Sequence, residues 1–244
     1  MGEEPAAGAI TVVTWNVQGS KRPDPAAIAA ALSGFAPDVV LLQEIQRHQL
    51  RVVGAATGWS AVWRFKHWGV RIPPEGLGLL VRGSVDGVRR QILAHPYGWW
   101  NWRRRIAVHA TVTVDGRSVG VVDTHLGAGV PAAERVRQIG ALLDASGRAC
   151  LIAGDLNAEP ESAELRAFRD AGWWDAERRL RPDLPRPSTN WAAGPRVAPP
   201  TQRLDYVLVR DDTPVVDAFV PDDWEWWAVL SDHVPVVARL ALPH

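Results

Sequence analysis

Eight short runs rich in valine, isoleucine and leucine recur along the chain, and this recurrence restricts the possible folds more than any other feature. They predict strands at residues 10–17, 39–42, 78–81, 106–114, 118–122, 149–153, 204–209 and 234–240. Several runs are almost continuously apolar, which is typical of strands buried on both faces. Helical patterns lie between some of them, at residues 26–35, 131–145 and 162–171. Strands interleaved with helices predict an α/β domain.

Composition excludes several classes of protein. With 244 residues, 47% of them hydrophobic and 22% charged, the chain can bury a core and is not disordered. Its single cysteine, Cys150, excludes an intramolecular disulfide framework. No apolar run approaches the roughly 18 residues of a membrane span, and the acidic start, MGEEP, does not resemble a signal peptide. We therefore expect a cytoplasmic protein without a membrane span.

The distribution of charge leaves two interpretations open. The formal net charge is zero, which argues against a large nonspecific footprint on nucleic acid. Basic side chains nevertheless predominate in residues 1–122 and acidic ones in residues 123–244. A cleft between the two halves could bind an anion and a metal cation, or the segregation could be a chance property of the surface. Residues 181–200 contain six prolines and are predicted to run over the surface.

Polar side chains stand at or next to six predicted strands, where α/β folds place their sites. They are Asn16, Glu44, His125, the pair Asp155 and Asn157, Asp205, and the pair Asp232 and His233. Their carboxylate and amide oxygens suit Mg²⁺ or Mn²⁺, and the histidines suit proton transfer near neutral pH. The sequence has no HExxH, CxxC, GxSxG, GxGxxG or phosphate-binding GxxxxGK[ST] motif. Metal-assisted hydrolysis by water is the chemistry that remains.

Six motifs in order carry a resemblance to a known family. They are TWNVQG at 14–19, LQE at 42–44, DTHL at 123–126, GDLN at 154–157, LDY at 204–206 and SDH at 231–233. From about residue 10 to residue 240, the chain resembles the endonuclease/exonuclease/phosphatase superfamily with the deoxyribonuclease I-like fold. The resemblance implies a single α/β domain over residues 1–244. It also implies a four-layer sandwich, with two mixed β-sheets packed face to face and helices outside.

The resemblance also implies roles for the motif residues. Glu44 is the expected main ligand of Mg²⁺ (or Mn²⁺), with Asn16 beside it and Asp232 as a further metal ligand. Asp155 and Asn157 are expected to orient the attacking water and a phosphate oxygen. His233 is the expected acid/base residue, with Asp205 fixing its tautomer.

Three further site residues are expected from the positions they share with members of this family. His125 lies in a Thr-His-Leu motif found in the deoxyribonuclease I, sphingomyelinase and phosphatase branches, and in deoxyribonuclease I an upstream glutamate supports this histidine. Glu75 stands at the corresponding place, although it could also be an ordinary hairpin acid. Among Arg103, Arg104 and Arg105, which compete for a position facing the phosphate, alignment favours Arg105. A solvated basic run is the alternative.

The thirteen tryptophans include clusters at 99–102, 173–174 and 224–227. The last cluster directly precedes the SDH motif, so we expect Trp226 and Trp227 to contact the substrate. Such aromatic groups could stack on bases, cover a lipid or another apolar group, or only fill the periphery of the fold.

These observations predict a metal-dependent phosphodiesterase, nuclease-like, with DNA as the default substrate. A phospholipid or small-molecule phosphodiesterase or phosphatase is the first alternative, favoured by the neutral net charge and the tryptophans. A non-catalytic binding module is the second, and the presence of every motif residue argues against it.

Overall fold

Two six-stranded β-sheets form the centre of the molecule. The computed structural model describes residues 8–69, 72–94, 104–185, 187–192 and 196–241. Within these residues the strands are β1 (Ala9–Asn16), β2 (Val39–Gln46), β3 (Ser60–Gly69), β4 (Ile72–Val81), β5 (Ser84–Ala94), β6 (Arg105–Val114), β7 (Arg117–His125), β8 (Ala149–Asp155), β9 (Trp173–Asp175), β10 (Asp205–Arg210), β11 (Val215–Phe219) and β12 (Val236–Ala241). The helices are α1 (Pro25–Ser33), α2 (Arg47–Thr57), α3 (Ala132–Ser146), α4 (Ala163–Asp170), α5 (Ala176–Leu180) and α6 (Trp224–Leu230).

Each sheet is mixed. The first has the strand order β11-β12-β1-β2-β4-β3, and the second has the order β5-β6-β7-β8-β10-β9. In the first sheet β1 and β2 are parallel, with α1 between them in sequence, and in the second β7 and β8 are parallel, with α3 between them. Parallel neighbours end at the same edge of a sheet, so the last residues of β7 and β8 can lie close together. Asn16, the last residue of β1 in the other sheet, is hydrogen-bonded to Asp155 at the end of β8.

The clusters of buried apolar side chains show that the sheets and helices form four layers. Val12, Leu41, Val112, Val121 and Leu151 belong to one core cluster that contains residues of both sheets. A second cluster joins α1 to the other face of the first sheet. A third joins α3 and α4 to the other face of the second sheet. This architecture confirms the predicted sandwich of two mixed sheets with helices outside.

The sequence located the buried strands better than the edge elements. Strands β3, β5, β9 and β11 and helices α2, α5 and α6 were not predicted. In β5, for example, most side chains are exposed and the run carries no continuous apolar signal. The predicted surface excursion at 181–200 was wrong for its middle part, because Thr189, Asn190 and Trp191 are buried. None of the helices described by the structure is long and apolar enough to cross a membrane.

A buried polar contact joins the two sheets close to the site. The Gln43 side chain on β2 donates from Nε2 to Asp123 Oδ1 on β7 at 2.7 Å, and to Thr14 Oγ1 on β1 at 3.1 Å. Burial raises the pKa of Asp123 well above its usual value, although the hydrogen bond from Gln43 acts in the opposite direction. The carboxyl group therefore favours its neutral form between the sheets.

We expect Asp123→Asn to stabilise the protein increasingly as the pH rises. Because the folded-state pKa is raised, the contribution of Asp123 to stability is fully present below its unfolded pKa and is lost as the pH rises through the folded one. Asparagine stays neutral and can still accept from Gln43. Chemical unfolding from about pH 4 upward measures the difference between variant and wild type. The matched control is Asp144→Asn, at an exposed position of α3. An equal pH dependence in both variants would contradict the prediction.

Candidate active site

A buried hydrogen bond between His233 and Asp205 lies at the centre of the candidate site. Asp205 Oδ2 is 2.8 Å from His233 Nδ1, and the Asp205 residue is 0% exposed. A carboxylate at this distance accepts a hydrogen bond from the protonated Nδ1, so the other ring nitrogen, Nε2, points into the site. Nε2 lies 3.8 Å from Asp155 Oδ2 and 4.0 Å from Asp232 Oδ1. Asp205 is therefore placed to fix the orientation of the His233 ring.

The segment that carries His233 is fixed from several directions. Ser231 Oγ donates to the Asn16 carbonyl at 2.6 Å and accepts from the His233 amide at 3.2 Å. Trp15 Nε1 on β1 donates to the His233 carbonyl at 2.8 Å. On the other side, Thr189 Oγ1 accepts from the Asp205 amide at 3.2 Å, and its carbonyl accepts from the Val234 amide at 2.7 Å. These contacts set the position of the imidazole ring.

Asp155 occupies the middle of the site because of the register of β7 and β8. His125 and Asp155 are parallel partners at the ends of these strands, and His125 Nε2 is 3.6 Å from Asp155 Oδ2. Gly154 makes this approach possible: its φ is +143°, and a Cβ there would lie 1.9 Å from the Thr124 carbonyl oxygen. Asn16 Nδ2 donates to Asp155 Oδ2 at 3.0 Å.

Asn157 forms the turn that follows Asp155. Its φ is +49°, a left-handed conformation that asparagine tolerates better than most residues. The Asn157 amide donates to Asp155 Oδ1 at 3.0 Å, and its Nδ2 donates to the Leu126 carbonyl at 3.1 Å. The side chain therefore stands beside the carboxylate that it was predicted to assist.

Glu44 and Asp232 each flank one of the two histidines. Glu44 Oε1 lies 3.9 Å from His125 Nδ1, and Asp232 Oδ2 accepts from Gln18 Nε2 at 2.6 Å, near His233. Glu44 stands where the register of β2 against β4 shifts, and its φ is +57°. A left-handed glutamate costs about 1–3 kcal/mol, which is typical of residues held in place at functional sites.

Lys66 was not predicted as a site residue. Its Nζ atom, on β3, lies 2.9 Å from His125 Nδ1. Glu75 was expected to support His125, but its carboxylate lies 3.4 Å from His67 Nε2, and its charge raises the pKa of Lys66. Arg105 is buried at the start of β6, where its charge lowers the pKa of both Lys66 and His125.

The two histidines have opposite electrostatic environments. Burial lowers the pKa of His125 well below its usual value, and the cations Lys66 and Arg105 lower it further. Burial also disfavours protonation of His233, but the carboxylates of Asp205, Asp155 and Asp232 outweigh it and raise the pKa of that ring to about 10. Burial raises the pKa of Asp155. A neutral and a protonated imidazole therefore face the same carboxylate, an arrangement suited to acid–base chemistry.

The tryptophans of α6 differ in what they can contact. Trp227 is 3% exposed, with its ring 5.4 Å from that of Trp15 and stacked on Phe35 at 5.6 Å, so its side chain belongs to the core and not to a substrate surface. Trp226 is 46% exposed and remains available to a ligand. Arg103 and the predicted cluster at 99–102 lie outside the described residues.

The donor set of the site fits a hard divalent cation. Ligand atoms of Asp155, Asp205 and His233 lie within 4.8 Å of one another. The ring of His233 is already hydrogen-bonded to Asp205, and Glu44, Asp232 and Asn16 supply further oxygen atoms around this group. Carboxylate and amide oxygens prefer Mg²⁺ or Mn²⁺ to softer metals.

Solved structures show the same fold in other proteins. A protein of the endonuclease/exonuclease/phosphatase type from Beutenbergia cavernae is 25% identical, with a TM-score of 0.76 over 96% of this chain and 72% of that chain. The catalytic domain of human Nocturnin, with bound sulfate, is 19% identical, with a TM-score of 0.75 over 98% and 97%. D. rerio TDP2, complexed with a single-strand DNA product, is 19% identical, with a TM-score of 0.68 over 96% and 99%.

A family profile covers most of the chain. No curated protein matches it, but the profile of the Endonuclease/Exonuclease/phosphatase family matches residues 13–233. The matched segment contains all six motifs and every residue placed around Asp155 above. The chain therefore belongs to the Endonuclease/Exonuclease/phosphatase family, whose members are metal-dependent hydrolases of phosphate esters.

Proposed function

We propose that this protein is a phosphodiesterase dependent on Mg²⁺ or Mn²⁺, with DNA as its default substrate. The observation that carries the proposal is the placement of Asp155 between two histidines of opposite charge preference, with the Asp205–His233 pair on one side. Carboxylates at Glu44 and Asp232 flank this centre. These are the groups that in-line attack of water on a phosphodiester requires.

Glu44, Asp232 and Asn16 are the residues that would hold the metal. When bound, the cation would neutralise charge that develops on the phosphoryl oxygens. Gln18 would support this role, because its hydrogen bond to Asp232 orients that carboxylate.

Side chains of the protein then orient the reactants and transfer the protons. Asp155 accepts a hydrogen bond from the attacking water, and Asn157 orients the phosphate. The water oxygen forms the new bond to phosphorus as its proton passes to the Asp155 carboxylate, and the bond to the leaving oxygen breaks. His233 donates its Nε2 proton to that leaving oxygen, and Asp205 holds the ring in place through its hydrogen bond to Nδ1. His125 Nε2 lies 3.6 Å from Asp155 Oδ2, the carboxylate oxygen that His233 also faces.

Two observations bear on the substrate. The TDP2 structure holds a single-strand DNA product on the same fold, which supports DNA. The first alternative, a phospholipid or another substrate with an apolar group, is favoured by α6. Trp226 is 46% exposed and Val229 is 83% exposed on this helix, which leads directly into Asp232 and His233. The two substrate classes differ in how their binding responds to salt.

Replacing His233 tests the proposed proton transfer. We expect His233→Ala to lower kcat by roughly 10²–10⁴-fold, because the proton donor is lost while substrate contacts remain. Asp205→Asn should also lower kcat, since an amide no longer fixes the Nδ1 proton. Hydrolysis of bis-p-nitrophenyl phosphate and nicking of plasmid DNA measure the effect, with circular dichroism as the check on folding. A folded His233→Ala variant with wild-type turnover would reject the assignment.

Removal of Glu44 tests the metal site. We expect Glu44→Gln to weaken binding of Mn²⁺ by at least ~10-fold, measured calorimetrically, because a charged oxygen ligand is lost. The loss of kcat should be at least ~100-fold. EDTA should abolish wild-type activity, and Mg²⁺ or Mn²⁺ should restore it. The control variant is Glu161→Gln, at an exposed residue. Unchanged metal affinity in Glu44→Gln, or full activity in excess EDTA, would contradict the prediction.

The salt dependence of binding separates DNA from an apolar substrate. Each neutralised phosphate adds about 0.9 to the log–log slope of affinity against salt, so DNA binding should fall steeply. We expect Arg104→Ala to reduce that slope, since Arg104 is exposed beside buried Arg105. Arg148→Ala is the control, because Arg148 is exposed directly before the first residue of β8, at the opposite end of that strand from Asp155.

A substrate with an apolar group should show little dependence of binding on salt. The salt slope would then be shallow, and Trp226→Ala would raise KM because buried apolar contact area is lost. A flat salt dependence together with unchanged plasmid nicking in Arg104→Ala would exclude DNA as the substrate.

A further inference from the structure

A groove lined by cationic side chains lies at the start of helix α2, beside the candidate site. Its volume is about 430 Å³, and it forms where β2 leads directly into α2, since Gln46 ends the strand and Arg47 begins the helix. The residues that line this α2 groove are Gln46, Arg47, His48, Arg51, Pro73 and Pro74, none of which carries a carboxylate. The groove therefore favours an anionic ligand.

Arg47 and Arg51 are four residues apart on α2 and so lie on the same face of the helix. Both residues are exposed, and in the part of the chain that the structure describes neither is paired with a carboxylate. Two like charges at this spacing repel each other and destabilise a helix. A bound anion would compensate both charges, and phosphate is an anion whose oxygens arginine binds with paired N–H donors.

Gln46 supplies a buried hydrogen-bond donor at the same place. The residue is 1% exposed, and its Nε2 atom has no hydrogen-bond partner among the described residues. Its backbone amide donates to Gln49 Oε1 at 3.0 Å, which fixes the residue at the end of β2. Because the large majority of buried side-chain polar atoms are paired, an unpartnered donor in the wall of a groove points to an acceptor on a ligand.

The N-terminus of α2 favours the same kind of ligand. The first N–H groups of a helix have no partner within it, and the helix dipole places partial positive charge there. Helix α2 has 11 residues, and its first two are the Arg47 and His48 that line the groove. Backbone donors, a buried amide and two guanidinium groups thus surround one space, a combination suited to phosphate.

The α2 groove is close enough to the site to contact the same substrate. Glu44, which flanks His125, precedes Gln46 by two residues, and two residues of chain span at most about 7 Å. Phosphates of one DNA strand follow each other about every 3.4 Å along the helix axis. A phosphate one or two steps away from the reacting one therefore falls within reach of the groove.

We propose that the α2 groove binds a phosphate of the substrate strand other than the one that is cleaved. Arg47 and Arg51 bind its oxygens and Gln46 Nε2 donates to it, so these residues select the substrate and take no part in the bond cleavage. That the groove takes a phosphate group follows from its donors, whereas its place on a DNA strand rests on the proposed function. A substrate with one phosphate, such as bis-p-nitrophenyl phosphate, cannot fill the site and the groove together.

Titration of the protein with inorganic phosphate, with EDTA present, tests the groove by itself. In ¹H–¹⁵N NMR spectra the side-chain amide signal of Gln46 should shift and saturate, and Gln46→Met, which lacks the amide, assigns that signal. Arg47→Ala and Arg51→Ala should each weaken phosphate binding at this signal by roughly 10-fold, because a charged hydrogen-bond donor is lost. Arg148→Ala, at the opposite end of β8 from Asp155, is the matched control and should leave the shift unchanged.

Binding and cleavage of a single-stranded oligonucleotide test the place of the groove on the substrate. We expect the double variant Arg47→Ala, Arg51→Ala to reduce the log–log slope of affinity against salt by about 0.7, the value for one phosphate contact on a single strand. Its KM for the oligonucleotide should rise, while its KM for bis-p-nitrophenyl phosphate should stay the same. Gln46→Met should raise the KM for the oligonucleotide without lowering thermal stability, because it replaces an unpartnered polar group by an apolar one.

Different outcomes separate the phosphate site from the proposed function. An unshifted Gln46 amide signal, or phosphate binding that is equal in wild type and both arginine variants, overturns the inference and leaves the proposed function in place. An unchanged salt slope and KM for the oligonucleotide in the double variant overturn the assignment of the groove to the substrate strand. A protein that binds phosphate in the groove but hydrolyses no phosphodiester rejects the proposed function and keeps the phosphate site. Should Gln46→Met fail to fold, the two arginine variants still decide.

Discussion

The hydrogen bond between Asp205 and His233 is the interaction on which the rest of the site depends. Burying a carboxylate and an imidazolium costs several kcal/mol for each ion unless the pair is well aligned. Alignment requires that the first residue of β10 and the segment before β12 be fixed relative to each other. Thr189 meets this requirement by contacting the Asp205 amide and the Val234 amide, and Trp15 holds the His233 carbonyl from β1. Thr189, buried within a proline-rich segment, therefore helps to hold Asp205 and His233 in place.

His125 and His233 lie at similar distances from Asp155, but a lysine contacts one ring and an aspartate contacts the other. Asp205 places a carboxylate oxygen 2.8 Å from His233 Nδ1, and Lys66 places its Nζ atom 2.9 Å from His125 Nδ1. The pKa of the His233 ring is raised and that of the His125 ring is lowered. Environments that separate the pKa values of neighbouring groups are how a site assigns acid and base roles at one pH. The fold achieves this because β3 and β10 belong to different sheets, each of which brings one charge to the same edge.

The sequence predicted the site residues that stand together at the end of one strand. It missed the residues that reach the site only through the pairing of distant strands. Asp155 and Asn157 sit two residues apart after a buried strand, so a local motif reveals them. Lys66 lies on an edge strand with aromatic neighbours, and only the pairing of β3 with β4 brings it to His125. Trp226 and Trp227 are adjacent, yet one is exposed and the other packs on Trp15, because successive positions of a helix face different directions. The single domain, the identity of the metal, the DNA substrate and the cytoplasmic location stay predictions.

The exposed residues around the site can vary without disturbing the Asp205–His233 pair. Trp226 and Val229 are three residues apart and share a face of α6, where both are exposed. Trp227, on the buried face, and Ser231, at the end of the helix, carry the contacts to Trp15 and Asn16 that fix the site. The same division holds at the start of β6, where Arg105 is buried near Lys66 and Arg104 is exposed. In both places the inward residue is buried, Trp227 against aromatic rings and Arg105 near Lys66, and the outward residue is exposed to solvent. Relatives of one fold can therefore share the reaction while their exposed residues select different phosphate esters.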